Sequence, residues 1–353
     1  MVNKLGIVAL MGSGETSAAG GLVFEAAVRR LNSRPRIGIL ETPAGFELNT
    51  HRVAGRVAEY LNTRLQNFQP QIRLIPARKR NSAFSPDDPD ICAGILTSNL
   101  IFFGPGSPTY TVRQLAGSLA WEYVQARQRL GATLVLASAA TIALGAKALP
   151  VYEIYKVGED PHWKPGLDFF GPYGLPMIIV PHWNNSEGGS EVDTSRCFIG
   201  RSRFEMLLGQ LDKEVTVLGL DEHTGLIIDL EAQECQVLGK GEIHVIIGGI
   251  EKSYLNDSTF QIHNLGNFHP LAERSSGIKP GNWQKASEVS LSSQNSEPEA
   301  LPPMEVMEAL ELRRLARLEK NWKRSDQLRD KISDLGWRVV DTSDGQKLEQ
   351  CTL

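Results

Sequence analysis

Three residues in this sequence combine reactive side chains with positions that could use them: Ser138, His182 and Glu222. Ser138 stands between an apolar, β-branched run, 133–137, and an Ala/Leu-rich stretch, 139–148, that reads as a helix. A strand turning sharply into a helix through a serine is the geometry of a nucleophile elbow. The turn lifts the hydroxyl above the sheet, and the helix N-terminus offers N–H groups to a developing oxyanion. Taken alone, Ser138 reads more readily as an ordinary helix N-cap, a role serine fills well. A serine nucleophile also needs a base, and the base an orienting acid. His182 follows the apolar run 177–181 and Glu222 follows the run 214–220, so both are expected at carboxyl ends of strands. Singly, His182 reads equally as a loop histidine, and Glu222 reads more readily as a surface-turn carboxylate. Placed together with Ser138, they favour acyl-transfer chemistry, with His223 as a rival base or orienter.

The elements that must position these residues alternate in type. Strands are expected at 4–11, 36–42, 72–76, 100–103 and 133–137, with helices at 20–31, 49–66, 86–96 and 110–129. Such alternation predicts an α/β fold with a mostly parallel sheet and helices on both faces. Ligands in such folds bind beyond the carboxyl ends of the strands. Gly12-Ser13-Gly14-Glu15, Gly104-Pro105-Gly106-Ser107 and Ser138 all fall at such ends and are expected to share one cleft. The first of these lacks the third glycine of a dinucleotide fingerprint. Beyond 149, the Gly-, Pro- and aromatic-rich stretch 153–176 reads as a surface arm or hairpin. A polar loop, 186–194, leads toward a helix carrying Arg196, Arg201 and Arg203. Residues 226–230, 234–238 and 243–247 read as further strands, the last two as closing strands around a Gly-Lys-Gly turn.

Residues 1–265 therefore read as one domain. Residues 266–303, poor in apolar side chains, read as a flexible linker. Residues 304–353 form a small, mainly helical module.

Of the 353 residues, 41% are hydrophobic and 22% charged, which suits a chain with a sizeable buried core. A formal charge of −4 gives no general attraction to nucleic acid or membrane. Cys92, Cys197, Cys235 and Cys351 show no CxxC pair or metal spacing, so free thiols in a reducing cytoplasm are expected, with no metal or other cofactor. No run approaches transmembrane length.

From about residue 4 to 250, the chain resembles the serine-peptidase family that contains cyanophycinase and aspartyl dipeptidase E. The matching pieces are ALMGSGE, FFGPGSPT, LASAATIALG, VPHWNN and VLGLDEHTG. The family's fold is similar to that of class I glutamine amidotransferases, with serine in place of cysteine at the elbow. The resemblance implies Ser138 as nucleophile, His182 as general base, Glu222 as its orienting acid, and the N–H groups of Gly106 and Ala139 as the oxyanion hole. A small peptide-like substrate is implied, with Ser107, Asn184, Arg196 and Arg201 as candidates for binding it. Arginines there could clamp a carboxylate in bidentate fashion. Two departures stand out. The family elbow carries glycine two residues either side of the serine, where this chain has Leu136 and Ala140, and a Cβ there is expected to crowd a strained turn. Ser107 and Val180-Pro181 replace residues that hold the β-aspartyl substrate of cyanophycinase, so that substrate is not expected.

The stretch LARLEKNWKRSDQLRDKISDLGWRVVDTSDGQKLE resembles the C-terminal anticodon-binding segment of cysteinyl-tRNA synthetases. The resemblance implies contact with tRNA or another RNA through Lys320, Lys323, Arg324, Arg329 and Lys331. Aminoacylation is excluded, because the chain has no HIGH or KMSKS motif. Two readings follow: a serine hydrolase acting on a small peptide or amide bond, or an inactive binding protein of the same fold with an RNA-contacting module. Amidotransferase activity is disfavoured because no cysteine occupies the elbow.

Overall fold

The computed structural model describes residues 4–294, 302–342 and 345–351. Strand Thr133–Ala137, buried along its whole length, pairs in parallel with Val8–Met11 on one side and Leu100–Phe103 on the other. Arg36–Leu40 and then Gln71–Ile75 extend the parallel set. Beyond Val8–Met11, the strands Thr224–Asp229, Glu234–Gly239 and Thr259–Gln261 join antiparallel, completing an eight-stranded sheet. Alternation sends successive side chains to opposite faces. Ala9, Ile39, Phe102 and Val135 pack against Phe24, Val57 and Leu61 of helices Ala18–Val28 and Thr50–Arg64. Val8, Ile101, Phe103 and Leu134 pack with Ile95 and Val124 of helices Pro89–Thr97 and Leu119–Arg129.

The later strands do not all return to this sheet. Met177–Val180 and Thr216–Leu220 pair in parallel, and Ile243–Ile247 and Ile250–Tyr254 add antiparallel to form a separate four-stranded sheet. The two segments expected as closing strands around one turn therefore part company: Glu234–Gly239 belongs to the large sheet and Ile243–Ile247 to the small one.

Other expectations are corrected by packing. The single helix read at 110–129 is two, Pro108–Leu115 and Leu119–Arg129, each capped by a serine hydroxyl, from Ser107 and Ser118 respectively. The stretch 153–176 is a surface segment only in its first part, where 156–160 are exposed; its second part enters the core. Phe169, Phe170 and Tyr173 are almost fully buried, with Phe169 edge-on to Trp121 at 6.1 Å, because so many aromatic rings gain more from the core than from solvent.

The linker read at 266–303 is, as far as residue 294, folded structure. Helix Pro280–Gln294 lies against Leu119–Arg129, and Ile278 and Ala286 are buried in the main core. Glu122 accepts from the Lys279 N–H at 3.1 Å and from Asn282 Nδ2 at 2.7 Å, and Arg129 Nη1 donates to the Arg274 carbonyl at 2.9 Å. A few well-placed apolar residues and two anchoring charges suffice where overall composition is polar. The rest of the expected linker, from 295 to 301, lies outside the described residues.

The C-terminal module contains helices Met304–Leu318 and Trp322–Asp334 and a strand pair, Trp337–Thr342 with Gly345–Gln350. Its core holds Val306, Leu310, Leu328, Ile332, Trp337 and Leu348. Buried Arg313 makes a bidentate pair with Asp341 at 2.9 and 3.0 Å. The second strand goes beyond the strand and turn read from sequence. Asn67 joins the module to the α/β domain: its Nδ2 donates to the Gln346 carbonyl at 3.0 Å, and its Oδ1 accepts from the Leu348 N–H at 2.8 Å. Among the described residues, no helix is long and apolar enough to cross a membrane.

Candidate active site

The elbow is built by the backbone around Ser138. Its φ of 52° and ψ of −117° lie outside the regions that L-residues ordinarily occupy. Its N–H donates to the Met11 carbonyl at 3.1 Å, and its carbonyl accepts from the Thr141 N–H at 3.0 Å and Thr141 Oγ1 at 2.6 Å. An ordinary N-cap has extended backbone and an oxygen turned onto the first helical N–H groups. Ser138 has neither, since its side chain makes no capping bond to helix Ala139–Leu144. Leu136 and Ala140, where the family elbow carries glycine, both lie buried in the core cluster that contains Leu10, Phe103 and Leu220.

His182 and Glu222 reach Ser138 from the other sheet. Strands Met177–Val180 and Thr216–Leu220 run side by side in parallel, so the loops after them leave at the same end. The Trp183 N–H donates to the Leu220 carbonyl at 3.0 Å, which ties those loops together. His182 Nε2 lies 2.8 Å from Ser138 Oγ, and His182 Nδ1 lies 2.9 Å from Glu222 Oε1. Asn185 Nδ2 donates to the same Oε1 at 3.0 Å, and the Glu222 N–H donates to Asn184 Oδ1 at 2.8 Å. The hydrogen bond with His182 is the main reason the Glu222 carboxyl is held below its ordinary value; partial burial opposes it and the Asn185 bond reinforces it.

Ser138 and His182 open onto a cleft of about 250 Å³. Gly106 and Ala139 line it as well, and neither N–H donates to another group among the described residues. Gly106 has to be bare: with φ at 152°, a Cβ there would lie 2.0 Å from the Pro43 carbonyl oxygen.

None of the four residues expected to bind substrate lines the cleft, and the side chains of Ser107, Asn184 and Arg196 have other partners. Ser107 caps helix Pro108–Leu115 through the Tyr110 N–H. Asn184 holds the Glu222 backbone. Arg196 lies with its guanidinium carbon 3.8 Å from the centre of the Trp183 ring and donates to the Trp183 carbonyl at 3.1 Å. Arg201 is exposed at the start of helix Arg201–Leu208, with its N–H on Asp193 Oδ2. Arg196 is not on that helix at all. It opens a turn in which Arg196, Cys197 and Phe198 have φ of 58°, 60° and 68°, a local conformation that residue types do not advertise. The Gly12–Glu15 segment does not line the cleft. Instead, Ser13 Oγ accepts from the His223 N–H at 3.1 Å, and the ring of His223 meets Ser17 rather than Ser138.

Sequence reasoning missed Asn185, although it stands in the PHWNN stretch beside Asn184. It also missed Phe198, whose ring centre lies 5.7 Å from that of His182, and Tyr155, on a turn of π-helix at Glu153–Val157. Behind the site, the Trp183 ring stacks on His244 at 5.4 Å. Gly219 makes room for that indole, since a Cβ would come within 2.5 Å of it. Burial works against protonation of His244, but Asp221 and Glu251 outweigh it and leave its pKa raised.

No protein-family model matches the chain. Over 48 residues, 14% of the chain, it is 46% identical to cysteine–tRNA ligase of Oenococcus oeni and, over the same length, 42% identical to that of Chlamydia felis. The chain spans about a tenth of the length of these curated relatives. A solved structure of a peptidase from an acI-B1 Actinobacterium is similar to 74% of this chain and 98% of its own, with a TM-score of 0.60 and 18% sequence identity. At that identity the likeness concerns architecture: the α/β domain, with its large sheet flanked by helices, has the fold of that peptidase.

Proposed function

We propose that the protein is a serine hydrolase that cleaves a small peptide or amide bond through an acyl-enzyme. The observation that carries this reading is the continuous line of contacts from Ser138 Oγ to His182 Nε2 and from His182 Nδ1 to Glu222 Oε1, at 2.8 and 2.9 Å. Its start at a strained serine that caps nothing adds support, because strain retained in a fold often marks a functional site. The likeness in fold to a peptidase points the same way.

In this mechanism His182 Nε2 takes the hydroxyl proton as Ser138 Oγ bonds to the substrate carbonyl carbon. Glu222 stabilises the imidazolium, and the free N–H groups of Gly106 and Ala139 meet the oxyanion. The imidazolium then gives its proton to the departing amine, leaving the acyl group on Ser138. Water, deprotonated by His182, releases the acid and restores the hydroxyl. Labelling with a fluorophosphonate probe tests the assignment. Wild type should react and Ser138→Ala, with unchanged circular dichroism, should not; equal reactivity of the two removes Ser138 as nucleophile.

A second reading concerns the C-terminal module and rests on the short match to cysteine–tRNA ligases. Arg329 and Lys331 pair with Asp326 and Glu305, whereas Lys320, Lys323 and Arg324 are exposed on and beside helix Trp322–Asp334. These three would contact RNA phosphates, with affinity falling steeply as salt rises. Filter binding of tRNA at low salt, with and without K320Q/K323Q/R324Q, tests it: no binding by wild type removes the reading.

A further inference from the structure

The wall of the cleft has a chemical character of its own. Ile142 and Val151 are almost fully buried members of a packed cluster, so they present a fixed apolar surface. Tyr155 and Phe198 also line the cleft, their ring centres 5.6 Å apart, and Phe198 continues that aromatic surface to His182. Cys197, which also lines the cleft, contributes a buried thiol whose pKa is pushed up by that burial, so this part of the wall stays neutral.

Among the described residues, no buried positive charge lines this wall. Among the described residues, no arginine lines the cleft; Arg196 lies on Trp183, and Arg201 is exposed on its helix. The charged lining residues besides the triad histidine are Lys156 and Glu187, both exposed. The Lys156 ammonium lies 4.6 Å from the centre of the Tyr155 ring, at the solvent side, where water screens its attraction for an anion. A carboxylate pressed against this wall would lose hydration without gaining a buried partner. An apolar side chain would leave water for surfaces of its own kind.

We propose that the cleft selects substrates whose side chain beside the bond attacked by Ser138 is aromatic or large and aliphatic, not acidic. The inference rests on the acyl-transfer reading for the place of that bond, but the preference itself can be measured without turnover. Ser138→Ala protein is titrated with N-acetyl-phenylalanine amide, N-acetyl-leucine amide and N-acetyl-aspartate amide. The first two should bind at least tenfold more tightly than the third, and adding Tyr155→Ala should cut the advantage of the phenylalanine amide at least threefold. Equal affinities, or tighter binding of the aspartate amide, overturn the proposal. An aspartate preference that disappears with Lys156→Gln overturns it as well, assigning recognition to the ammonium. Fluorophosphonate labelling of wild type separates the two ideas. A labelled protein that prefers aspartate loses only the apolar pocket; an unlabelled one that prefers phenylalanine keeps the pocket and loses the hydrolase.

Discussion

Ser138 and His182 face each other across 2.8 Å with backbones of nearly equal and unusual φ, 52° and 51°. Neither is glycine, so each conformation costs on the order of 1–3 kcal/mol that the surrounding structure has to offset. Each is braced by a backbone hydrogen bond: the Ser138 N–H donates to the carbonyl of Met11 in the large sheet at 3.1 Å, and the His182 carbonyl accepts from the N–H of Cys197, in the positive-φ turn, at 3.1 Å.

Relieving that strain should separate stability from reactivity. Ser138→Gly is expected to raise stability by about 1 kcal/mol, a few degrees in Tm for a chain of this size, while abolishing fluorophosphonate labelling. Differential scanning calorimetry beside labelling gives both readouts, and a lower Tm would show that Ser138 is not strained.

Glu222 Oε1 accepts from both His182 and Asn185, so Glu222→Gln can keep an oxygen there while removing its charge. The labelling rate should then fall about 100-fold, from loss of the charge facing the imidazolium. Asn185→Ala, which keeps the charge but removes one donor, should cost roughly tenfold. A larger loss in Asn185→Ala than in Glu222→Gln would mean that position, not charge, is Glu222's contribution.

Glu122 anchors the strap of residues 268–294. Burial raises its carboxyl, but bonds from Asn282 and Lys279 outweigh that and hold its pKa below the ordinary glutamate value. A carboxyl depressed in the folded state contributes stability that is complete above its unfolded value and lost as pH falls through its folded one. Wild type should therefore exceed Glu122→Gln by about 1–3 kcal/mol in urea unfolding near pH 7. The gap should close only below about pH 4.5; a gap that instead widens there would contradict the assignment.

A chain ended after Leu265 should be less stable than one ended after Gln294. The shorter form loses Ile278 and Ala286 from the core and leaves Glu122 without its donors, a deficit on the order of 3–5 kcal/mol. Urea unfolding of the two forms decides it. Equal midpoints would restore the linker reading.

Asn67→Ala removes both bonds that join the C-terminal strand pair to the α/β domain. Hydrogen exchange at the Leu348 amide should accelerate at least tenfold, while labelling at Ser138 stays unchanged. Unchanged exchange would show that packing of Phe68 on the module's core suffices without the side-chain clamp.

Ser138, His182 and Glu222 were legible in the sequence because each stands at or just beyond the end of an apolar run, and strand ends are where an α/β sheet exposes its rim. That the first five strands run parallel followed from the same alternation, though not their order in the sheet. Local patterning could not say that His182 and Glu222 come from a second sheet, because an apolar run specifies a strand and not its partner. It also could not say which way Arg196 turns, since three successive residues of positive φ reverse the chain there without a glycine to mark the place. Nor could composition reveal that the polar stretch after Leu265 lies against the core, where Glu122 and Arg129 bind it mainly through backbone groups that every residue possesses. At Ser138, residue type allowed either a helix cap or a nucleophile. Only tertiary structure supplied the backbone angles and the imidazole at 2.8 Å that separate the two geometries.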